Sequence, residues 1–198
     1  MAIGLVKFSH RSNLLKVLWI LTFFAFVLDV LSASVTSFVN EFGNAYRLPE
    51  FILLLCIYYF AFEGKARTAF IIIGLVYVCF FLAGLYLLQG KANAISTTVS
   101  SLVFIIFSIL YFFKLLSHLP TTQIQGLPMF WVNTAVLVYF AGSFFVFLLR
   151  NYLIEVLHDN QIVYWSFHNI LNILKNLLFA IGLWHGSRTH DSNLLKKI

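Results

Sequence analysis

The chain of 198 residues is 61% hydrophobic and only 10% charged, whereas soluble domains are roughly 45–50% apolar and about 25% charged. A soluble core of this size could not hide so much apolar surface, so the composition excludes a soluble globular fold and predicts a membrane protein. The net charge of +6 comes from cations spaced between apolar runs, without the dense basic cluster that a nucleic-acid-binding surface requires.

Six apolar runs follow one another along the chain, and a bilayer forces each of them to be a continuous helix. The sequence therefore predicts an all-α, polytopic transmembrane helix bundle. The second run is short, and we expect it to extend back through Tyr46 and Arg47, with Pro49 in its first turn. The predicted spans are Leu14–Val35, Pro49–Phe62, Thr68–Gln89, Ala94–Leu116, Met129–Leu153 and Ile162–His185.

This division leaves residues 1–13 as an N-terminal segment, 14–185 as the transmembrane domain and 186–198 as a polar tail. Lys and Arg outside the spans or close to their ends predict the orientation, because they are enriched in cytoplasmic loops. Nine of them share the side of the two termini, and Arg47, Lys91 and Arg150 lie on the other. We therefore expect a multi-pass protein of the cell's inner (plasma) membrane with both termini in the cytoplasm.

The last predicted helix carries Lys175 close to its middle, where a charged side chain is costly and usually faces a bundle interior. At about 100° per residue from His168, Asn172 lies near 40°, Asn176 near 80°, Asn169 near 100° and Lys175 near −20°. The polar residues therefore share one stripe, and the opposite side of the helix is aliphatic.

Three interpretations of this stripe remain open. In the first, the asparagines hold neighbouring helices together and Lys175 pairs with a carboxylate. In the second, His168, Asn172 and Lys175 line a ligand or proton site. In the third, the stripe binds a metal. A metal is the weakest of the three, because no second His or Cys is in register with His168. Glu50 in the second helix is expected to face inward as a candidate partner.

Asn133, Tyr139 and Ser143 in the fifth helix are expected to continue this polar interior, with Gly142 beside them. The candidate ligand or proton site is therefore formed by Lys175, His168, Asn172, Asn169, Asn176, Glu50, Asn133 and Tyr139. No HExxH, GxSxG, phosphate-loop or paired-acid motif occurs, so we expect no enzyme activity, cofactor or catalytic residue.

The segments PMFWVNTAVLVYFAGSF, ending at Phe144, and WSFHNILNILKNLLFAIGLW, ending at Trp184, resemble a known membrane region. It is the multi-helix region that precedes the kinase core in a group of bacterial sensor histidine kinases, and that also occurs free-standing. The resemblance runs from about Leu14 to Trp184. It implies that the family's usual first helix is missing or truncated here. It also implies a sensing module without its own kinase core.

These patterns favour a sensor-like or signalling-associated membrane module. A small-solute or proton-coupled transporter and a structural or assembly subunit are the alternatives. The expected partners are the lipid bilayer and either a second copy of the chain or a cytoplasmic signalling protein such as a histidine kinase. No nucleic-acid partner is expected.

Overall fold

The structure is a computed structural model that describes residues 13–34, 39–62, 64–87, 92–118, 123–155 and 162–195. These residues form six α-helices and one 3-10 turn, and no strand occurs among them, which confirms the predicted all-α fold class. The helices are α1 (Asn13–Ser34), α2 (Val39–Ala61), α3 (Lys65–Leu87), α4 (Ala92–His118), α5 (Pro128–Glu155) and α6 (Ile162–Leu195), and the 3-10 turn is Ile124–Gly126.

Three stretches are long and apolar enough to cross a membrane. They are Arg67–Gly84 in α3, Ser96–Ser117 in α4 and Pro128–Val146 in α5. In α1 the apolar stretch Asn13–Leu28 is shorter. In α6 the stretch is interrupted by the polar residues around Lys175.

The start of α2 differs from the prediction. Pro49 lies inside the helix, which begins at Val39, so the expectation that Pro49 occupies the first turn is wrong. A proline inside a helix removes one backbone hydrogen bond and costs about 3 kcal/mol. Transmembrane helices tolerate this because neighbouring groups satisfy the freed carbonyl. The sequence rule for helix starts therefore placed this boundary too late.

The end of α6 also extends beyond the predicted span. The helix continues past His185 to Leu195, into the segment that the sequence assigned to a polar tail. With 34 residues at about 1.5 Å per residue it is roughly 50 Å long, against about 30 Å for a bilayer's hydrocarbon core. The helix α6 is therefore longer than the hydrocarbon core of a bilayer is thick.

The chain forms two compact units, of which the first comprises Met1–Ser96 and Gly186–Ile198. In this unit α2 and α3 run antiparallel, with the rings of Phe51 and Tyr77 stacked at 3.6 Å between centroids. The turn between them needs a left-handed residue, which Gly64 supplies with a φ of 64°. Beyond this turn the Arg67 guanidinium donates hydrogen bonds to the carbonyls of Tyr59 (3.3 Å) and Phe62 (3.0 Å) at the end of α2.

The second unit, Thr97–His185, contains all the candidate site residues except Glu50. Here α5 lies between α4 and α6 and runs antiparallel to both. On the α4 side, Phe140 packs on Phe104 with 4.8 Å between ring centroids. On the α6 side, the Trp131 ring stacks on His185 at 6.0 Å.

The described surface is apolar and part of the interior is polar. Large side chains such as Phe113 (72% exposed) and Phe145 (63%) point outward, whereas Lys175 (3%) and Asn133 (0%) are buried. In a soluble protein, charged residues are almost never buried so completely, and extended apolar surfaces are avoided. This distribution is the one expected of helices surrounded by lipid.

Candidate functional site

Lys175 lies at the centre of the buried face of α6. Leu171 (7% exposed) and Phe179 (1%) are its neighbours one turn away in each direction, and Lys175 itself is 3% exposed. At about 100° per residue these side chains fall within roughly 40° of Lys175. The face that packs in the interior is therefore centred on the lysine.

The aromatic ring of Tyr139 on α5 covers the lysine. The Nζ atom of Lys175 lies 3.9 Å from the ring centroid of Tyr139, which is itself 8% exposed. A desolvated cation–π contact contributes about 2 kcal/mol or more, against about 2.5–3.5 kcal/mol for inserting a lysine at a membrane centre. The ring therefore offsets a large part of the cost of burying this ammonium group.

His168 extends this cluster along α6. Its ring centroid is 5.8 Å from that of Tyr139, with 54° between the ring planes, and its side chain is half-buried. Tyr139 thus contacts two nitrogen-bearing side chains that lie seven residues apart on the same helix. The sequence predicted both Lys175 and His168, and the structure brings them to one tyrosine.

Ser143 adds an unsatisfied hydroxyl one turn along α5 from Tyr139. Its side chain is 2% exposed, and within the described part of the chain its Oγ is the buried side-chain polar atom without a hydrogen-bond partner. Residues four apart share a helix face, so Ser143 lies on the side of α5 that carries Tyr139. A hydroxyl left without a partner in this way costs about 1–3 kcal/mol.

Glycines bring α5 and α6 close together on both sides of the lysine. A Cβ atom on Gly142 of α5 would lie 2.7 Å from Cδ1 of Leu171. On α6, a Cβ atom on Gly182 would lie 3.1 Å from the backbone oxygen of Pro128. Small residues at such positions let transmembrane helices approach closely. The cluster around Lys175 is therefore held between two tight helix contacts.

Asn133 lies on the other side of α5. It is fully buried, and its Nδ2 donates a hydrogen bond of 3.1 Å to the backbone oxygen of Ser108 on α4. Around α5 it is separated from Tyr139 by about 120°. The contact with Ser108 therefore gives Asn133 a role in joining α4 to α5, in addition to its predicted place in the polar interior.

Glu50 belongs to the first compact unit, where it lies on α2 and is 8% exposed. The prediction that it faces inward is consistent with this burial. Its neighbour Phe51 is 1% exposed and stacks on Tyr77. Glu50 is therefore a buried acidic residue of α2.

The three asparagines of α6 do not share the lysine's buried position. Asn172 and Asn176 are half-buried, and Asn169 is exposed. The sequence grouped all of them with Lys175 in one stripe, whereas the structure places the lysine at the centre of the buried face and the amides toward its edge. Periodicity alone could not locate that centre, because it depends on where α5 packs.

The side chains of this cluster determine which kinds of ligand it could bind. Within the described residues, no group of three His, Cys, Asp or Glu side chains could hold a metal ion. The donors present are the Lys175 ammonium group and the His168 imidazole, which both contact the Tyr139 ring, and the Ser143 hydroxyl one turn along α5 from Tyr139. These groups can bind a hydrogen-bond acceptor or an anion.

The chain was compared with protein-family models, with curated proteins and with solved structures, and none of them matches it.

Proposed function

We propose that the chain is a polytopic integral membrane protein of the plasma membrane, with six spanning helices and both termini in the cytoplasm. Three helices with the length and apolar composition of spans support this, together with the apolar exposed surface. The predicted excess of Lys and Arg on one side supports the orientation.

We further propose that it acts as a sensor-like module that binds a lipophilic ligand bearing an anionic or acceptor group. One observation carries this proposal: the Lys175 ammonium group is buried against Tyr139, and Ser143, one turn along α5 from Tyr139, has a buried hydroxyl without a partner in the described part of the chain. An acceptor atom of a ligand would satisfy this hydroxyl and pair with the ammonium group, whereas lipid tails can do neither.

The length of α6 favours sensing as the output of this site. The helix is continuous from the cluster to Leu195, so a shift or rotation at Lys175 would be passed along a single helix. Its far end would then reach a cytoplasmic partner, for which a histidine kinase is the candidate that the sequence resemblance suggests. A proton-coupled or small-solute carrier is the second candidate, favoured by the half-buried His168 in the same cluster.

The test compares Lys175→Met with the wild type, because methionine keeps a long, flexible side chain and removes the ammonium group with its charge and N–H donors. Lys114→Met, on the half-buried lysine of α4, is the matched control. The probe is oleate, and methyl oleate supplies the same tail without the anion. Thermal unfolding is measured in micelles, and dissipation of a pH gradient is measured in proteoliposomes.

We expect oleate to raise the unfolding temperature of the wild type and of Lys114→Met but not of Lys175→Met, and methyl oleate to have no effect. A pH gradient that the wild type dissipates and Lys175→Met maintains would favour the carrier instead. If Lys175→Met merely unfolds at a lower temperature, with neither oleate binding nor flux in the wild type, the cluster is a structural packing group and the sensor proposal fails.

A further inference from the structure

A second polar face runs along α6, separate from the face that carries Lys175. Asn169, Asn172 and Asn176 are spaced by three and four residues, and at about 100° per residue they fall within roughly 60° of one another. Their centre lies about 90° around the helix from Lys175. Because Asn169 is exposed and the other two are half-buried, this amide face is turned toward the outside of the chain.

The amide face lies deep in the membrane if α6 spans it as proposed above, and the inference rests on that placement. All three residues are within roughly 7 Å of the middle of Ile162–His185, inside a hydrocarbon core that extends about 15 Å on either side. Lipid tails offer amides no hydrogen bonds, so polar side chains at this depth usually bond to another helix.

We propose that a second copy of this chain covers the amide face. All copies insert into the membrane with the same orientation, so a two-fold axis relating them must be parallel to the membrane normal. Each residue of α6 then lies at the depth of its own counterpart. An asparagine side chain both donates and accepts, and it can therefore pair with the same asparagine of the second copy.

The spacing of three and four residues continues beyond the asparagines toward the C-terminal end of α6. Ala180 (exposed) and Leu183 (half-buried) follow Asn176 at intervals of four and three residues, which is close to the 3.5-residue repeat of paired helices. The small Ala180 side chain permits close approach of two helices. The side chains further around the helix, such as Ile170 (61% exposed) and Leu177 (58%), are aliphatic and suit contact with lipid.

Disulfide cross-linking in proteoliposomes tests this dimer with the full chain. Cys56 is half-buried and Cys79 is exposed, so both are first replaced by serine. Ala180→Cys then reports on the proposed interface without changing an asparagine. The matched control is Ile181→Cys, which lies at nearly the same depth and is 37% exposed, but about 100° around the helix.

We expect oxidation to link Ala180→Cys into a covalent dimer and to leave Ile181→Cys monomeric. Replacing Asn169, Asn172 and Asn176 together by leucine should abolish the link, while an unchanged unfolding temperature confirms that this variant is folded. Equal linking at positions 180 and 181, no linking at either, or full linking in the leucine variant would each overturn the proposal. Lys175→Met in the Ala180→Cys protein should still cross-link, so failure of the ligand site and failure of the dimer can be told apart.

Discussion

The unpartnered hydroxyl of Ser143 provides the sharpest test of the site geometry. Its Oγ is buried without a hydrogen-bond partner in the described part of the chain, and the side chain is 2% exposed. Removing such a group relieves a desolvation cost of about 1–3 kcal/mol, while the lost volume is that of a single oxygen atom. We therefore expect Ser143→Ala to stabilise the ligand-free protein by about 1 kcal/mol, which is unusual because most substitutions in a core destabilise.

Ser101 is the matched control for this substitution. It is also a serine on a helix of the same unit and is fully buried, but its Oγ donates a hydrogen bond of 2.8 Å to the backbone oxygen of Thr97. Ser101→Ala removes a satisfied bond and should destabilise the protein by about 0.5–1.5 kcal/mol. The two alanine variants therefore differ in the sign of the effect.

The assay is reversible unfolding of the purified protein in mixed micelles by increasing the fraction of denaturing detergent, followed by circular dichroism. A free energy of unfolding that falls in Ser143→Ala as far as in Ser101→Ala would refute the reasoning, because Ser143 would then have a partner in the folded chain. Stabilisation of the ligand-free protein together with a weaker response to oleate would link the hydroxyl to ligand binding.

Two further predictions concern glycines with different structural reasons. Gly182→Ala should destabilise the protein by about 1–3 kcal/mol, because its Cβ would lie 3.1 Å from a backbone oxygen that cannot turn away. Gly126→Ala is the control: its Cβ would meet open space, so its effect in the same detergent titration should be much smaller. Gly64→Ala also meets no neighbour, yet its φ of 64° should cost about 1–2 kcal/mol, and Gly64→Asn, which tolerates this conformation better, should recover part of that loss in the same assay.

The helices could be predicted from the sequence because their signal is local. Each apolar run carries at most two charged residues, and every predicted span overlaps an observed helix. The boundaries were less predictable. Proline is common in the first turn of helices, and the prediction placed Pro49 there for that reason. Whether a helix continues through a proline depends on which groups satisfy the freed carbonyl, and those groups belong to the rest of the fold.

The sequence predicted the residues of the candidate site better than it predicted their arrangement. A lysine in the middle of an apolar run is conspicuous, and Lys175 is indeed buried. Its contact with the Tyr139 ring and the unsatisfied state of Ser143 depend on the antiparallel register of α5 and α6. That register is set by tight contacts such as the one between Gly142 and Leu171, which no periodicity within a single helix encodes.

The division of α6 into two polar faces connects the two proposals. A stripe of roughly 120° is wide enough to touch two neighbours at once. The lysine, which is the costliest group to leave in lipid, is turned inward against Tyr139. The asparagines are less costly to expose and can be satisfied by an identical helix, so they are the groups that a dimer can use.

A ligand that rotates α6 about its axis would move both faces together. If both proposals hold, occupancy at Lys175 should therefore change the cross-linking yield at position 180, and the Ala180→Cys protein can measure this change directly.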